Sequence, residues 1–99
     1  MADRHARLSR IYEVTDLIWR RHMRQLANYE ADLQANIKDE ANVLACLGGG
    51  LPVSLLMSRL HFLRARRGII CEQLRLETEK AQQAGLRLKR IDRQMRKAN

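Results

Sequence analysis

Residues 46–53 read Cys-Leu-Gly-Gly-Gly-Leu-Pro-Val, and how this stretch is interpreted decides the fold. Gly48, Gly49, Gly50 and Pro52 form the one cluster of helix breakers, and they lie near the midpoint of 99 residues. Glycine just past a helix and proline at the start of the next are the expected punctuation, because glycine adopts left-handed backbone freely and proline has no N–H to lose in a first turn. The residues on either side are mostly Arg, Leu and Ala with Gln, Lys and Glu, all good helix formers. Strand-favouring residues are sparse, with four aromatic side chains in the whole chain. The pattern predicts one all-α domain, an antiparallel two-helix coiled-coil hairpin. Helix 1 should run over about residues 4–47, the turn over 48–51 and helix 2 over about 52–97. At ~1.5 Å per residue each helix would extend ~65–70 Å. Gly68 and Gly85 fall inside helix 2 and should each cost ~1 kcal/mol relative to alanine.

Apolar spacing supports two helices. In helix 2, Val53, Leu60, Leu74, Ala81, Leu88 and Met95 share one heptad position, and Leu56, Leu63, Ile70, Ala84 and Ile91 share another. Arg67 and Glu77 alone interrupt these series, which together describe a coiled-coil seam. In helix 1 the set Ile11, Val14, Ile18, His22, Leu26, Tyr29, Leu33, Ile37, Ala41, Leu44 and Leu47 advances by about 3.6 residues, which implies a nearly straight helix. If the chain reverses near Gly50, facing residue numbers should sum to about 100. Acidic Asp32, Asp39 and Glu40 then oppose Arg59, Arg64, Arg66 and Arg67. Basic Arg20, Arg21 and Arg24 oppose Glu77 and Glu79. Such matching adds little energy per surface pair, roughly 0–1 kcal/mol, but disfavours wrong registers.

A second apolar series remains after the seam is assigned. Leu55, Phe62, Ile69 and Leu76 recur every seven residues on the side of helix 2 away from the seam, and Tyr12, Trp19, Leu26 and Leu33 form a similar series in helix 1. Two helices alone do not bury both, so Trp19, Leu55, Phe62, Ile69 and Leu76 are candidate partner-binding residues. Another copy could complete a four-helix bundle, a homodimer, or a different protein could dock there. Supercoiling that draws the stripe into the same core is the plain alternative. From Ala41 to Ser58 no residue carries a formal charge. The glycines and proline in its middle argue against a membrane-spanning helix there and for an apolar hairpin tip that packs on itself or on a partner.

The net charge is +8. Arg4, Arg7 and Arg10 begin helix 1, while Arg87, Lys89, Arg90, Arg93, Arg96 and Lys97 end helix 2; a hairpin gathers both groups at its open end. Nucleic acid, anionic lipid and acidic protein surfaces are the partner classes for such a balance. A recognition helix or aromatic stacking platform for nucleic acid is missing, and cations near a helix C-terminus also answer its dipole. No catalytic constellation is present, so the expectation is a protein that is not an enzyme and has no cofactor. His5, His22 and His61 are not spaced as a zinc pair, giving no metal site. Two cysteines, Cys46 and Cys71, form no disulfide framework and suit a reducing cytosol. The charged N-terminus has no apolar signal core, which again implies a cytoplasmic protein.

The segments RLSRIYEVTDLIWRRHMRQLANYEADL (residues 7–33) and SRLHFLRARRGIICEQLRLETEKAQQAGLRLKRIDRQMRK (58–97) resemble the flagellar export protein FliJ and its virulence-system counterparts, the YscO family. The resemblance rests on the Arg-Leu-x-x-Ile opening, Gln25-Leu26 followed by Glu30 and Leu33, the Phe62-Leu63 step, Gln73, and the basic end containing Lys89. It implies a bacterial coiled-coil stalk or escort protein of a type III export apparatus, cytoplasmic or peripheral to the membrane-associated machinery. The implied partners are the export ATPase, met by the basic open end, and the export gate, met by the stripe around Phe62. A self-associating structural hairpin or small adaptor, and a basic nucleic-acid-associated protein, are the other readings of the same residues.

Overall fold

The computed structural model describes residues 2–98. It consists of two α-helices, α1 (Ala2–Ala45) and α2 (Val53–Ala98), joined by a turn as a helical hairpin. The described residues contain no strand. The helices contribute to two compact units, one of Met1–Leu26 with Leu76–Asn99 and the other of Ala27–Arg75. Below, the first is the terminal unit and the second the turn unit.

Each residue of the turn has a physical reason. Past Ala45 the helix tightens, with Cys46 N donating to Val43 O at 3.0 Å and Leu47 N to Leu44 O at 3.2 Å. Gly48 and Gly50 adopt φ of 85° and 92°, in the left-handed region that penalises any Cβ. Gly49 has an ordinary φ, but a Cβ there would lie 3.2 Å from the Cys46 carbonyl oxygen. Pro52 then caps α2: its carbonyl accepts from Leu55 N at 3.1 Å and Leu56 N at 3.2 Å. The turn therefore begins two residues earlier than the glycines alone suggest, because Cys46 and Leu47 are spent in closing α1.

The seam of α2 falls where its heptads place it. Leu56, Leu60, Leu63 and Ile70 are buried in the turn unit, and Ala81 and Ala84 in the terminal unit. Val53, at the mouth of the turn, is exposed instead. The seam of α1 differs from expectation. In the terminal unit its inward residues are His5, Leu8, Tyr12, Thr15, Trp19, His22 and Leu26; in the turn unit they are Tyr29, Leu33, Asn36, Glu40 and Val43. These advance strictly by three and four, so α1 follows a heptad repeat and not the 3.6-residue repeat of a straight helix. Ile11, Val14, Ile18, Ile37, Leu44 and Leu47 were expected on the seam and are exposed. The reason is compositional: the inward face of α1 is polar and aromatic, while its strongest aliphatics point away.

The two interruptions of the α2 seam are each answered from α1. In the turn unit, Asn36 is 4% exposed. Its Nδ2 donates to Leu63 O at 2.9 Å, and its Oδ1 accepts from Arg67 Nε at 3.0 Å. Arg67 also pairs with Glu40, which accepts from Arg64 Nε at 3.4 Å. In the terminal unit, His22 Nδ1 meets Glu77 Oε1 at 2.5 Å. Among the described residues no buried side-chain polar atom is left without a partner. A heptad slip would set Asn36 against Leu56 or Ile70 and take Glu77 from His22 to Thr15 or Tyr29, so these layers favour one register. His22–Glu77 and Asn36–Leu63 both have numbers summing to 99, close to the expected 100.

Charge matching is thus partly as expected. Glu40 takes Arg64 and Arg67 across the hairpin. Asp32 and Asp39 share a depression with Arg66 and Arg59 without an ion pair. Glu77 takes His22 and not one of the nearby arginines, and Arg20 turns to Asp16 on its own helix at 2.9 Å.

Candidate functional site

The α2 heptad that carries the seam also dictates a row pointing away from it, and the structure leaves that row open. In the turn unit Leu55, Phe62 and Ile69 are exposed, Phe62 at 57%. Leu76, next in the series, is exposed in the terminal unit. Arg59, one turn before Phe62, lays its guanidinium 5.2 Å from the ring centroid. A cation over an aromatic face contributes about 0.5–1 kcal/mol at an exposed site. Phe62 also borders a shallow depression of about 200 Å³ with Asp32, Ala35, Asp39, Arg59 and Arg66. Apolar contact is therefore offered in the middle of mixed charge, the layout of a protein-docking patch with a polar rim.

Trp19 is not part of such a row. It occupies an inward heptad position of the terminal unit, half-buried, and its indole lies over Gly85: a Cβ built there would sit 3.6 Å from Trp19 Nε1. Together with Tyr12, Met23, Ala81 and Leu86 it lines an open groove of about 780 Å³. The small residues at 81 and 85 leave space that a leucine would fill. The exposed aliphatic face of α1 lies elsewhere, at Ile11, Val14, Leu17 and Ile18, and residue spacing alone assigned three of those four to the core.

The basic residues expected at the open end all belong to the terminal unit. Arg4, Arg7, Arg10, Arg87, Lys89, Arg90, Arg93, Arg96 and Lys97 are exposed there. Arg96 pairs with Asp92 at 3.1 Å. Lys89 borders the Trp19 groove, and Arg87 and Arg90 border a second depression of about 300 Å³ with Gln83 and Leu86. No family model, curated protein or solved structure matches this chain.

Other chemistry is limited by placement. Cys46 and Cys71 are free and exposed. Among the described residues, no group of three or more His, Cys, Asp or Glu is arranged to hold a metal ion. No described helix is long and apolar enough to cross a membrane. The titration of Glu72 is displaced downward. Arg75 donates to it through Nη2 at 2.7 Å and Nε at 3.2 Å, and that bonding, then the positive charge itself, holds its carboxyl below the ordinary value.

Proposed function

We propose that this chain is a non-enzymatic docking hairpin, and that it serves as a stalk or escort protein of a type III export apparatus, flagellar or virulence-associated. The observation that carries the docking role is the exposed α2 row of Leu55, Phe62 and Ile69 beside Arg59 and Arg66. A hairpin stabilised by its own seam and polar layers has no structural need for those side chains. The sequence resemblance to the FliJ and YscO proteins supplies the setting: an export ATPase at the basic end and an export gate at the Phe62 row.

The decisive experiment pairs a pull-down with genetics. Tagged protein should recover the cognate ATPase or the cytoplasmic part of the gate, and a deletion strain should secrete poorly. Recovery of neither, together with normal secretion, refutes the export role. Phe62→Ser with Ile69→Ser should weaken partner capture while helicity by circular dichroism stays unchanged; unfolding of that variant would place the row in the core. Self-association is the second reading, favoured by the outward aliphatics Ile11, Val14 and Ile18 on α1. Analytical ultracentrifugation that finds only monomer at high concentration removes it.

A further inference from the structure

The turn unit ends in an apolar tip that the export reading leaves unexplained. Leu44, Leu47, Leu51, Val53, Leu55 and Met57 are all exposed there, Leu51 at 51%. Leu56 and Val43 pack in the seam, and the remaining apolar side chains of the tip stay open. Heptad position places Leu44 and Met57 on one side of the seam and Leu55 on the other, while Leu47 and Leu51 lie in the turn. The residues between them are Ala, Ser, Asn, Gly, Cys and Pro, and no charge interrupts the chain from Ala41 to Ser58.

We infer that this tip inserts into the interfacial layer of an anionic lipid bilayer. Three observations select that occupant. A protein partner meets one face of a tip, whereas this tip is apolar on both sides of the seam and at its end, which suits a fluid medium that surrounds it. The uncharged parts of the two helices, 41–45 and 53–58, rise ~8–9 Å at ~1.5 Å per residue, the depth to which interfacial helices bury, ~5–10 Å. Immediately behind the tip stand Lys38, Arg59, Arg64, Arg66 and Arg67 against three carboxylates, Asp32, Asp39 and Glu40. That collar is net positive where phosphate headgroups would lie, and Glu40 is already engaged by Arg64 and Arg67.

Shallow insertion also fits the backbone. Only part of the turn closes its own hydrogen bonds, through Cys46, Leu47 and Gly49 and the Pro52 carbonyl. Groups left over need water or headgroup partners, which the interface provides and the hydrocarbon centre does not. Lipid insertion shares Leu55, Arg59 and Arg66 with the docking row, but its vesicle test is separate from the tests of the export reading.

The test uses the full chain with Cys71→Ser, so that Cys46 at the tip carries a single environment-sensitive fluorophore. It is mixed with vesicles of phosphatidylcholine alone or with phosphatidylglycerol added. The expected result is co-sedimentation and a blue-shifted label only with the anionic vesicles, weakened by salt. Leu51→Glu, at an exposed position, should reduce binding by roughly tenfold or more with helicity intact. A shallow lipid-borne quencher should reach the label better than a deep one. Three outcomes overturn the inference: no sedimentation with anionic vesicles at low salt; binding unchanged by Leu51→Glu, which would mean charge alone acts; or a label already shielded without lipid through Cys46-proximal contact with a second copy.

Discussion

Asn36→Ala is the most informative single change in the hairpin. Asn36 is nearly fully buried between the helices and makes two cross-helix bonds, one to the Leu63 carbonyl at 2.9 Å and one from Arg67 Nε at 3.0 Å. The Leu63 carbonyl also lies within α2, so its loss of the amide is a loss of a second bond only. The Arg67 bond is charge-assisted and worth more, about 1.5–3 kcal/mol in general. Arg67 is a third exposed, so water recovers some of that. The side-chain volume removed is small and borders the depression beside Phe62. The expected cost is therefore about 1.5–2.5 kcal/mol, read as a lower urea midpoint with unchanged slope by circular dichroism. Asn36→Ala with Arg67→Met should cost less than the two singles together, with a coupling of about 0.5–3 kcal/mol. A cost below about 0.5 kcal/mol, or additive singles, would show that the layer is not an interior contact and does not set the register.

Gly68→Ala and Gly85→Ala should each raise stability by up to ~1 kcal/mol in the same urea assay, since a Cβ at 68 meets open space and one at 85 makes ordinary contact with Trp19 at 3.6 and 3.8 Å. A loss at Gly85 would mean that the groove beneath Trp19 must stay empty for folding. Gly48→Ala and Gly50→Ala should each destabilise by about 1–2 kcal/mol because both adopt positive φ. The two faces of α1 can be told apart directly: Trp19→Ala should cost more than 1 kcal/mol and Ile18→Ala less, about 0.5 kcal/mol, with the reverse order restoring the straight-helix assignment. Glu72 contributes stability that is present above the ordinary value of 4.5 and is lost as pH falls through its lowered value, so Glu72→Gln should flatten the acid limb of the stability profile there.

The hairpin was legible in the sequence because three independent features agreed on it: the glycine-proline punctuation, the α2 heptads and the sum rule for facing residues. The α2 row of Leu55, Phe62 and Ile69 was legible for the same reason, since a strict repeat fixes the outward face as firmly as the inward one. The inward face of α1 was not legible from aliphatic spacing. His22, Leu26, Tyr29 and Leu33 belong to both the expected and the observed series, and beyond them the two diverge. Toward the N-terminus the chain offers Ile11, Val14 and Ile18 as one set and Tyr12, Thr15 and Trp19 as the other. Aliphatic count favours the first, but the partner decides.

The deciding signal was present in the two interruptions of α2. A carboxylate at Glu77 and a guanidinium at Arg67, both at seam positions, demand polar partners across the hairpin. The sum rule points to residues 22–23 and 32–33; His22 stands at the first, while Arg67 reaches Asn36 and Glu40, one and two turns past the second. With Glu40 four residues past Asn36 on the same seam, alternate steps of three and four back from Asn36 give Leu33, Tyr29, Leu26, His22, Trp19 and Thr15 without reference to hydrophobicity. The odd residues of a regular helix therefore locate the face of an irregular one. The same logic explains why Ile11, Val14 and Ile18 are exposed. Once His22, Asn36 and Glu40 are committed to the seam, a heptad helix has no inward position left for them, and their exposure follows from the polar partners that Glu77 and Arg67 require on the other helix.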